Sequence, residues 1–368
     1  MSGEPPTRVR RRRSSSSLFL SCFLFLFALT ASGHDEPTSF IDLRQTSDGF
    51  DLILRASTTD LAHDLPEAEP AMLLNPVIAA THHDQLAAIF LSRFQILAGG
   101  QPITGQFRGS EPLPEQADLR LRFRFASNAD FDALEIRSRL FPYDSRHQTF
   151  LSFYRGENLQ RQLVFDAATA VHSFSASAPQ SGAAVIFRFL AEGVHHIFIG
   201  PDHILFVVGL LLAGGSFGVL LKIITAFTVA HSVTLVLAVL GWVNPPAGLV
   251  EPIIALSIVF VGMYTLLRKS GRDPRMLFAF GFGLIHGFGF AYALQALELP
   301  PRALALSLVS FNFGVELGQA CIVAAVAPVL WWLHRRHGSL ARWIVTVGSL
   351  CVTVAGLVWF VERVAFAD

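Results

Sequence analysis

Two periods of hydrophobic and polar residues divide this chain near residue 180. Between residues 34 and 180 the apolar positions alternate with polar ones, which is the period of a half-buried strand. The clearest case is Asp118 to Phe125, where Leu and Phe face one side and Arg faces the other. Phe50 to Arg55 and Gln148 to Tyr154 follow the same pattern, whereas residues 85–98 favour a helix. We predict a β-rich domain, sandwich-like or α+β, with a solvated arginine face.

From residue 181 onward the period becomes helical. Ala183 to Ile199 is amphipathic, with Arg188, Glu192 and two histidines recurring at helical spacing, which predicts a helix at the membrane interface. Gly200-Pro201 then breaks the chain, and Pro favours the first position of a new helix. Six long apolar segments follow, and most have the roughly 20 residues that a spanning helix needs. They lie at 202–218, 219–240, 247–267, 274–295, 303–333 and 341–364, and Pro328 should end or bend the fifth.

The N-terminus has the pattern of a secretory signal peptide over residues 1–33. Arg8 and Arg10 to Arg13 precede an apolar stretch from Leu18 to Leu29, and small residues lead up to His34. This stretch is too short to span a bilayer comfortably. We therefore expect residues 34–180 to be extracytoplasmic and residues 181–368 to form the membrane domain. An uncleaved anchor is the alternative.

Composition and charge support this division. The chain is 52% hydrophobic and 15% charged, with a mean hydropathy of +0.48, which excludes a wholly water-soluble protein. Equal numbers of basic and acidic residues (28 of each) argue against a nucleic-acid binder. If residue 181 lies outside the cytoplasm, the inward loops carry eight Lys and Arg residues and the outward ones two. This agrees with the positive-inside rule and places both the N-terminal domain and the C-terminus outside.

Ionisable residues inside the apolar segments are the strongest functional signal. Each charged side chain at the centre of a membrane helix costs about 2.5–3.5 kcal/mol on insertion scales, so such residues mark functional sites. Imidazoles and carboxylates together suit divalent nickel, cobalt, zinc, manganese or iron. We predict that these groups converge in one site; they are Asp202, His203, His231, Glu251, His286 and Glu316.

Simpler explanations stay open for several of these residues. His231 with Thr228 and Ser232 would also fit a hydrogen-bond cluster that only ties helices together. Glu251 beside Pro252 would also fit a helix cap. Glu316 is harder to explain in this way, because Asn312 and Gln319 share its helical face. His195 is expected to be a simple interfacial residue.

Four segments together resemble the HupE/UreJ family of membrane proteins. They are an H-x5-D-H pattern from His196 to His203, Thr225 to Ser232, Phe282 to Ala291, and Phe311 to Gln319. The resemblance implies a bacterial inner-membrane permease for nickel or cobalt. It also implies that His196, Asp202 and His203 recognise the metal and that His286 is their counterpart in the FGLIHG segment. The roughly 147 residues before the helices resemble the longer branch of the family.

The resulting prediction is a permease for a divalent metal, with nickel first and cobalt next. Its fold would be an all-α bundle of six transmembrane helices, preceded by the interfacial helix and the β-rich domain. No nucleotide-binding motif is present, and we expect no enzymatic activity, no permanent cofactor and no nucleic-acid partner. Besides the lipid bilayer and the metal ion, a periplasmic protein is a possible partner. The alternatives are an assembly factor or metal sensor with a partner-binding outer domain, and an intramembrane metalloenzyme.

Overall fold

The computed structural model describes residues 37–365, apart from 128–131, 179, 269–270 and 296–298. The predicted signal peptide and His34 lie outside the described residues. Within them there are ten strands, the last of which ends at Ser175, and the first long helix begins at Gly182. The predicted β-rich N-terminal domain and helical C-terminal region are therefore confirmed.

The N-terminal domain is built from two sheets. Their strand orders are β5-β6-β2-β1-β8-β9 and β10-β7-β3-β4, and the only parallel pair among the described strands is β1 with β8. The bounds are β1 Thr38–Thr46, β2 Gly49–Ser57, β3 Phe94–Ala98, β4 Gln101–Ile103, β5 Gly105–Leu113, β6 Asp118–Ala126, β7 Ala133–Ser138, β8 Gln148–Arg155, β9 Asn158–Phe165 and β10 Val171–Ser175.

The strand predictions hold, and the helix prediction holds in part. Alternation in β6 buries its Leu and Phe side chains, and its arginines form ion pairs with Glu111, Asp48 and Asp51 on the other face. The predicted helix 85–98 is wrong at its end. The helix ends at Arg93, and Phe94–Ala98 is a strand whose alternate side chains are buried in the domain core. Three short helices complete the domain: α1 Thr58–His63, α2 Pro76–Thr81 and α3 His83–Arg93.

The C-terminal region contains eight described helical segments. Of the described helices, five are long and apolar enough to cross a membrane: α4, α6, α7, α10 and α11. The segments are α4 Gly182–Ile199, α5 Pro201–Leu212, α6 Phe217–Val239, α7 Ala247–Leu267, α8 Arg275–Gly289, α9 Ala291–Gln295, α10 Pro301–Arg336 and α11 Gly338–Ala365.

One predicted boundary is wrong, and one of the two effects predicted for Pro328 is excluded. The segment predicted over 202–218 ends at Leu212, because Gly214 and Gly215 take positive φ angles of 73° and 137° that continue no helix. Pro328 does not end α10, which runs on to Arg336. Neighbouring helices and local adjustments let membrane helices tolerate a proline.

The predicted interfacial position of α4 is not confirmed. This helix packs along α10, and its buried residues include Phe189, Gly193, His196 and Ile197. A methyl group on Gly193 would collide with the carbonyl oxygen of Phe311, so the two backbones are in direct contact. The buried stripe thus contains a histidine that the sequence pattern had assigned to the polar face.

Close helix contacts recur at constant shifts along the sequence. A shift of 90 residues carries Gly193 to Gly283, and Gly283 lies against the carbonyl oxygen of Phe227 on α6 as Gly193 lies against that of Phe311 on α10. The same shift carries the break between α4 and α5 onto the break between α8 and α9. The segments α4–α5 and α8–α9 therefore occupy equivalent positions.

The contacts between α7 and α11 also repeat, at a shift of 94 residues. A Cβ on Gly262 would meet Ser349 O and Thr353 N, both at 2.9 Å. A Cβ on Gly356 would meet Ala255 O at 3.1 Å and Val259 N at 2.8 Å, the shifted partners of that pair. The helical region is thus two similarly packed halves, α4–α7 and α8–α11.

The order of the contacts gives the relative directions of the helices. Gly193 lies against Phe311 and Ile197 against Gly318, so α4 and α10 run parallel. Gly283 and Gly287 lie against Phe227 and His231 in turn, so α8 and α6 also run parallel. If the helices cross the membrane alternately, with three crossings in each half, this parallel pairing relates the two halves by inversion.

Candidate metal-binding site

The break between α4 and α5 brings the first set of polar side chains together. Pro201 opens α5, and Gly200 N donates to the carbonyl oxygen of His196 at 3.0 Å. A Cβ on Gly200 would lie 2.8 Å from His203 Nδ1 and 3.2 Å from Asp202 Oδ1. A glycine at this position therefore lets His196, Asp202 and His203 sit side by side.

Three imidazoles meet beside this break. His196 comes from α4, His203 from α5 and His231 from α6, and one ring nitrogen from each lies within 4.8 Å of the other two. The ring centroids of His196 and His203 are 4.6 Å apart, and that of His231 is 6.4 Å from each. All three are buried. Histidine nitrogens at such spacing are suited to one transition-metal ion.

His286 joins this group from the second half of the bundle. Its ring centroid is 5.2 Å from that of His203, and its side chain is buried. Its Nε2 lies 3.0 Å from Ser257 Oγ, which donates its own hydrogen to Ile254 O at 2.6 Å. The serine oxygen must therefore accept from His286 Nε2, and this leaves His286 Nδ1 as the nitrogen with a lone pair.

Asp202 contacts His203 rather than joining the imidazole group as a further ligand. Its Oδ1 accepts from the His203 backbone N–H at 2.8 Å and from His203 Nδ1 at 3.0 Å. A carboxylate bonded to one ring nitrogen fixes the tautomer and orientation of a metal-binding histidine. His203 Nε2 is thereby left with the lone pair.

Several ring nitrogens of the group make no hydrogen bond within the described part of the chain. They are His203 Nε2, His286 Nδ1 and both ring nitrogens of His231. A buried polar atom without a partner costs about 1–3 kcal/mol. Their concentration at one place is suited to a bound cation. Asn312 also lies against His231, so the hydrogen-bond cluster remains the alternative for that residue.

The two glutamates lie apart from the imidazoles. Glu251, near the start of α7, lies beside Arg363, with its Oε2 3.8 Å from Arg363 Nε. Glu316 on α10 accepts from Thr225 Oγ1 at 2.6 Å. Neither carboxylate belongs to the group of mutually close ligand atoms among the described residues. The single ring predicted from sequence therefore forms only around the histidines.

The remaining polar residues of the predicted path lie between α6 and α10 or within them. Thr228 Oγ1 donates to Gln319 Oε1 at 3.3 Å, which links the two helices. Ser232 Oγ donates to the carbonyl oxygen of Thr228 at 2.7 Å, and Asn312 Nδ2 to that of Leu308 at 2.9 Å. These contacts place the polar residues beside Glu316 on its own helix and on its neighbour.

Sequence reasoning missed three kinds of residue around the site. Ser257 orients His286, Arg363 contacts the carboxylates, and phenylalanine rings pack against the imidazoles. The Phe290 ring centroid is 4.6 Å from that of His196, and those of Phe206 and Phe227 are each 5.2 Å from that of His286. Phenylalanine and serine are common in membrane helices, so no sequence signal marked them. Arg363 is one of the two outward basic residues, and nothing in the sequence ties it to the site.

Comparison with protein families gives a match. The family model described as HupE / UreJ protein matches residues 172–363, just over half of the chain. This range includes all of α4 to α10 and most of α11, together with every histidine of the site. None of the curated proteins matches the chain.

Proposed function

Because this chain belongs to the HupE/UreJ family, we propose that it is a membrane permease for a divalent transition metal, with nickel first and cobalt next. The single observation that carries the proposal is the group of three buried imidazoles, His196, His203 and His231, with His286 beside them. Nitrogen donors of borderline softness suit nickel, cobalt, zinc and oxidised copper better than magnesium or calcium. We propose no resident cofactor and no enzymatic activity.

The two-half architecture supports transport rather than storage. In many transporters, inverted repeats meet at broken helices, and the substrate site lies near the middle of the membrane between them. Here the two breaks, at Gly200 and Phe290, lie next to each other, since the Phe290 ring packs on His196. Rocking of one half against the other would expose the imidazoles alternately to the two sides.

The proposed topology has six crossings, with α4 and α5 forming one broken span. The eight inward basic residues and two outward ones favour an orientation with the β-rich domain and the C-terminus outside the cytoplasm. We place the protein in a bacterial inner membrane, with the β-rich domain in the periplasm. The cation would then reach the imidazoles from the periplasmic side.

Glu316 is the proposed next residue to contact the ion on its way to the cytoplasm. Its partner Thr225 precedes His231 by six residues on α6, which is about 9 Å along a helix at 1.5 Å per residue. In the proposed orientation α6 begins at the cytoplasmic side, so Glu316 lies inward of the imidazoles. Thr228 lies between Thr225 and His231 on α6, and Asn312 lies one turn before Glu316 on α10. Ser232 follows His231, and Gln319 follows Glu316. A carboxylate on this path attracts a cation that leaves the nitrogen ligands.

Uptake into vesicles tests the function. The full-length chain, reconstituted into lipid vesicles, should take up Ni²⁺ or Co²⁺ in preference to Mn²⁺. His196→Ala should abolish this uptake, and His195→Ala should retain it, because His195 is the exposed neighbour of the buried His196. Absence of uptake for Ni²⁺, Co²⁺, Zn²⁺ and Mn²⁺ alike, or full uptake by His196→Ala, would overturn the proposal.

A further inference from the structure

Arg363, near the end of α11, contacts carboxylates from two other helices. Its Nη2 lies 3.7 Å from Asp202 Oδ2 on α5, and its Nε lies 3.8 Å from Glu251 Oε2 on α7. Its Nη1 donates to the carbonyl oxygen of Glu251 at 3.0 Å. The guanidinium is thus held at three points, and its side chain is only 10% exposed.

Two of these contacts are ion pairs, and the one to Asp202 lies next to the hydrogen bond between Asp202 and His203. One oxygen of Asp202 accepts from His203 Nδ1, and the other faces Arg363. A carboxylate held at one oxygen can still turn about its own bonds, whereas one held at both oxygens presents a fixed plane. Arg363 therefore limits the rotation of Asp202, and through it the rotation of the His203 ring.

Glu251 has a defined place in this arrangement. Arginine has a long, flexible stem, and ordering it costs up to about 2 kcal/mol of rotamer entropy. The side chain and main chain of Glu251 both hold the guanidinium, so the arginine is in place before a cation arrives. The predicted ligand Glu251 is thereby given a different role, as the anchor of Arg363.

We propose that Arg363 is a positioning residue that fixes His203 for the metal ion through Asp202. The inference rests on the proposed function, since it concerns the same imidazole site. Partners one shell beyond a metal ligand typically change metal affinity or activity by 10- to 100-fold when they are removed. Asp202 links the two, because one of its oxygens faces Arg363 and the other accepts from His203 Nδ1.

Calorimetry of Ni²⁺ binding to the purified full-length chain tests whether Arg363 positions His203 through Asp202. Arg363→Gln should weaken Ni²⁺ binding by about tenfold or more. In vesicles it should raise the half-saturating Ni²⁺ concentration with little change in the maximal uptake rate. Arg363→Lys should restore part of the affinity, because an ammonium keeps the charge but loses the planar fork. Arg302→Gln, at an exposed arginine near the start of α10, is the matched control and should bind as the parent does.

A double variant separates positioning from a merely structural role. If Arg363 acts through Asp202, then Asp202→Asn with Arg363→Gln should bind Ni²⁺ as weakly as Asp202→Asn alone. Additive losses, or unchanged binding by Arg363→Gln, would overturn the inference. If the parent chain binds no Ni²⁺ and no Co²⁺, the proposed function itself fails. If the parent binds Ni²⁺ and Arg363→Gln binds it equally well, only the inference about Arg363 fails.

Discussion

The two halves of the helical region share their packing but differ in their chemistry. Gly193 and Gly283 occupy equivalent close contacts, and so do Gly262 and Gly356. Three of the four clustered histidines nevertheless come from the first half, and His286 alone comes from the second. Shifts of 90 residues carry His196 to His286 but His203 to Ala293. The scaffold is therefore repeated, whereas the candidate site is asymmetric.

This difference indicates which residues serve folding and which serve the ion. Positions that are small in both halves, such as Gly193 and Gly283, let backbones approach and should matter equally on either side. Positions that are polar in one half only, such as His203 and His231, are not part of the packing that the two halves share. Substitutions in equivalent pairs can therefore separate the two roles.

The largest expected effect is at the shared glycines. Gly193→Ala and Gly283→Ala each force a methyl group against a backbone carbonyl oxygen, which no side-chain movement relieves. Overpacking of this kind costs about 3 kcal/mol, so both variants should lower the melting temperature of the detergent-solubilised protein by similar amounts. Gly281→Ala is the control on the same helix, because a Cβ there meets nothing within 4 Å. A large loss at only one of the two equivalent glycines would contradict the repeat.

The equivalent histidines should differ instead of matching. His196 belongs to the group of three close ligand atoms, whereas His286 lies beside it. We expect His196→Ala to weaken Ni²⁺ binding by about 100-fold and His286→Ala by about tenfold, by analogy with the range for residues around metal sites. Calorimetry on the two purified variants measures the ratio. Equal losses would show that the site is as symmetric as the scaffold.

The half-buried Gly200 at the break in the first half should be less tolerant of a side chain than an exposed glycine. A methyl group on Gly200 would press on His203 Nδ1 and Asp202 Oδ1, the two atoms whose hydrogen bond sets the tautomer of His203. Gly200→Ala should therefore weaken Ni²⁺ binding by about tenfold. Gly218→Ala, where a Cβ has open space, should not. Titration of Ni²⁺ against both variants checks this, and equal affinities would remove the role assigned to the break.

The sequence was sufficient for the site histidines but not for their supporting partners. Buried imidazoles in apolar segments are costly, so His203, His231 and His286 could be predicted from hydropathy alone. Glu251 and Glu316 carry the same signal, yet their side chains lie with Arg363 and Thr225 instead. Which of several costly groups share one pocket depends on helix rotation and packing, and these are set by contacts between distant segments.

The same limit explains where the fold predictions are wrong or not confirmed. Alternation predicted β2 and β6, because each has one buried face, and it also predicted β8, which is buried on both faces. The helix 85–98 failed at Phe94, where a helical and a strand pattern meet within a few residues. For α4 the amphipathic pattern suggested a membrane surface, but Gly193 lets α4 pack against α10 and buries His196. A glycine in a helical pattern reveals its packing role only when its neighbour is known.

The smallest predicted effect is at the serine that supports the second-half histidine. Ser257 Oγ donates to Ile254 O and therefore accepts from His286 Nε2, which keeps the lone pair on Nδ1. Ser257→Ala frees the imidazole to change tautomer, and we expect a loss of Ni²⁺ affinity of at most about tenfold. Ser349→Ala is the matched control, a buried serine on α11 whose hydroxyl has no partner within the described residues. If both variants bind Ni²⁺ equally well, His286 needs no fixed tautomer, and the first half alone would hold the ion.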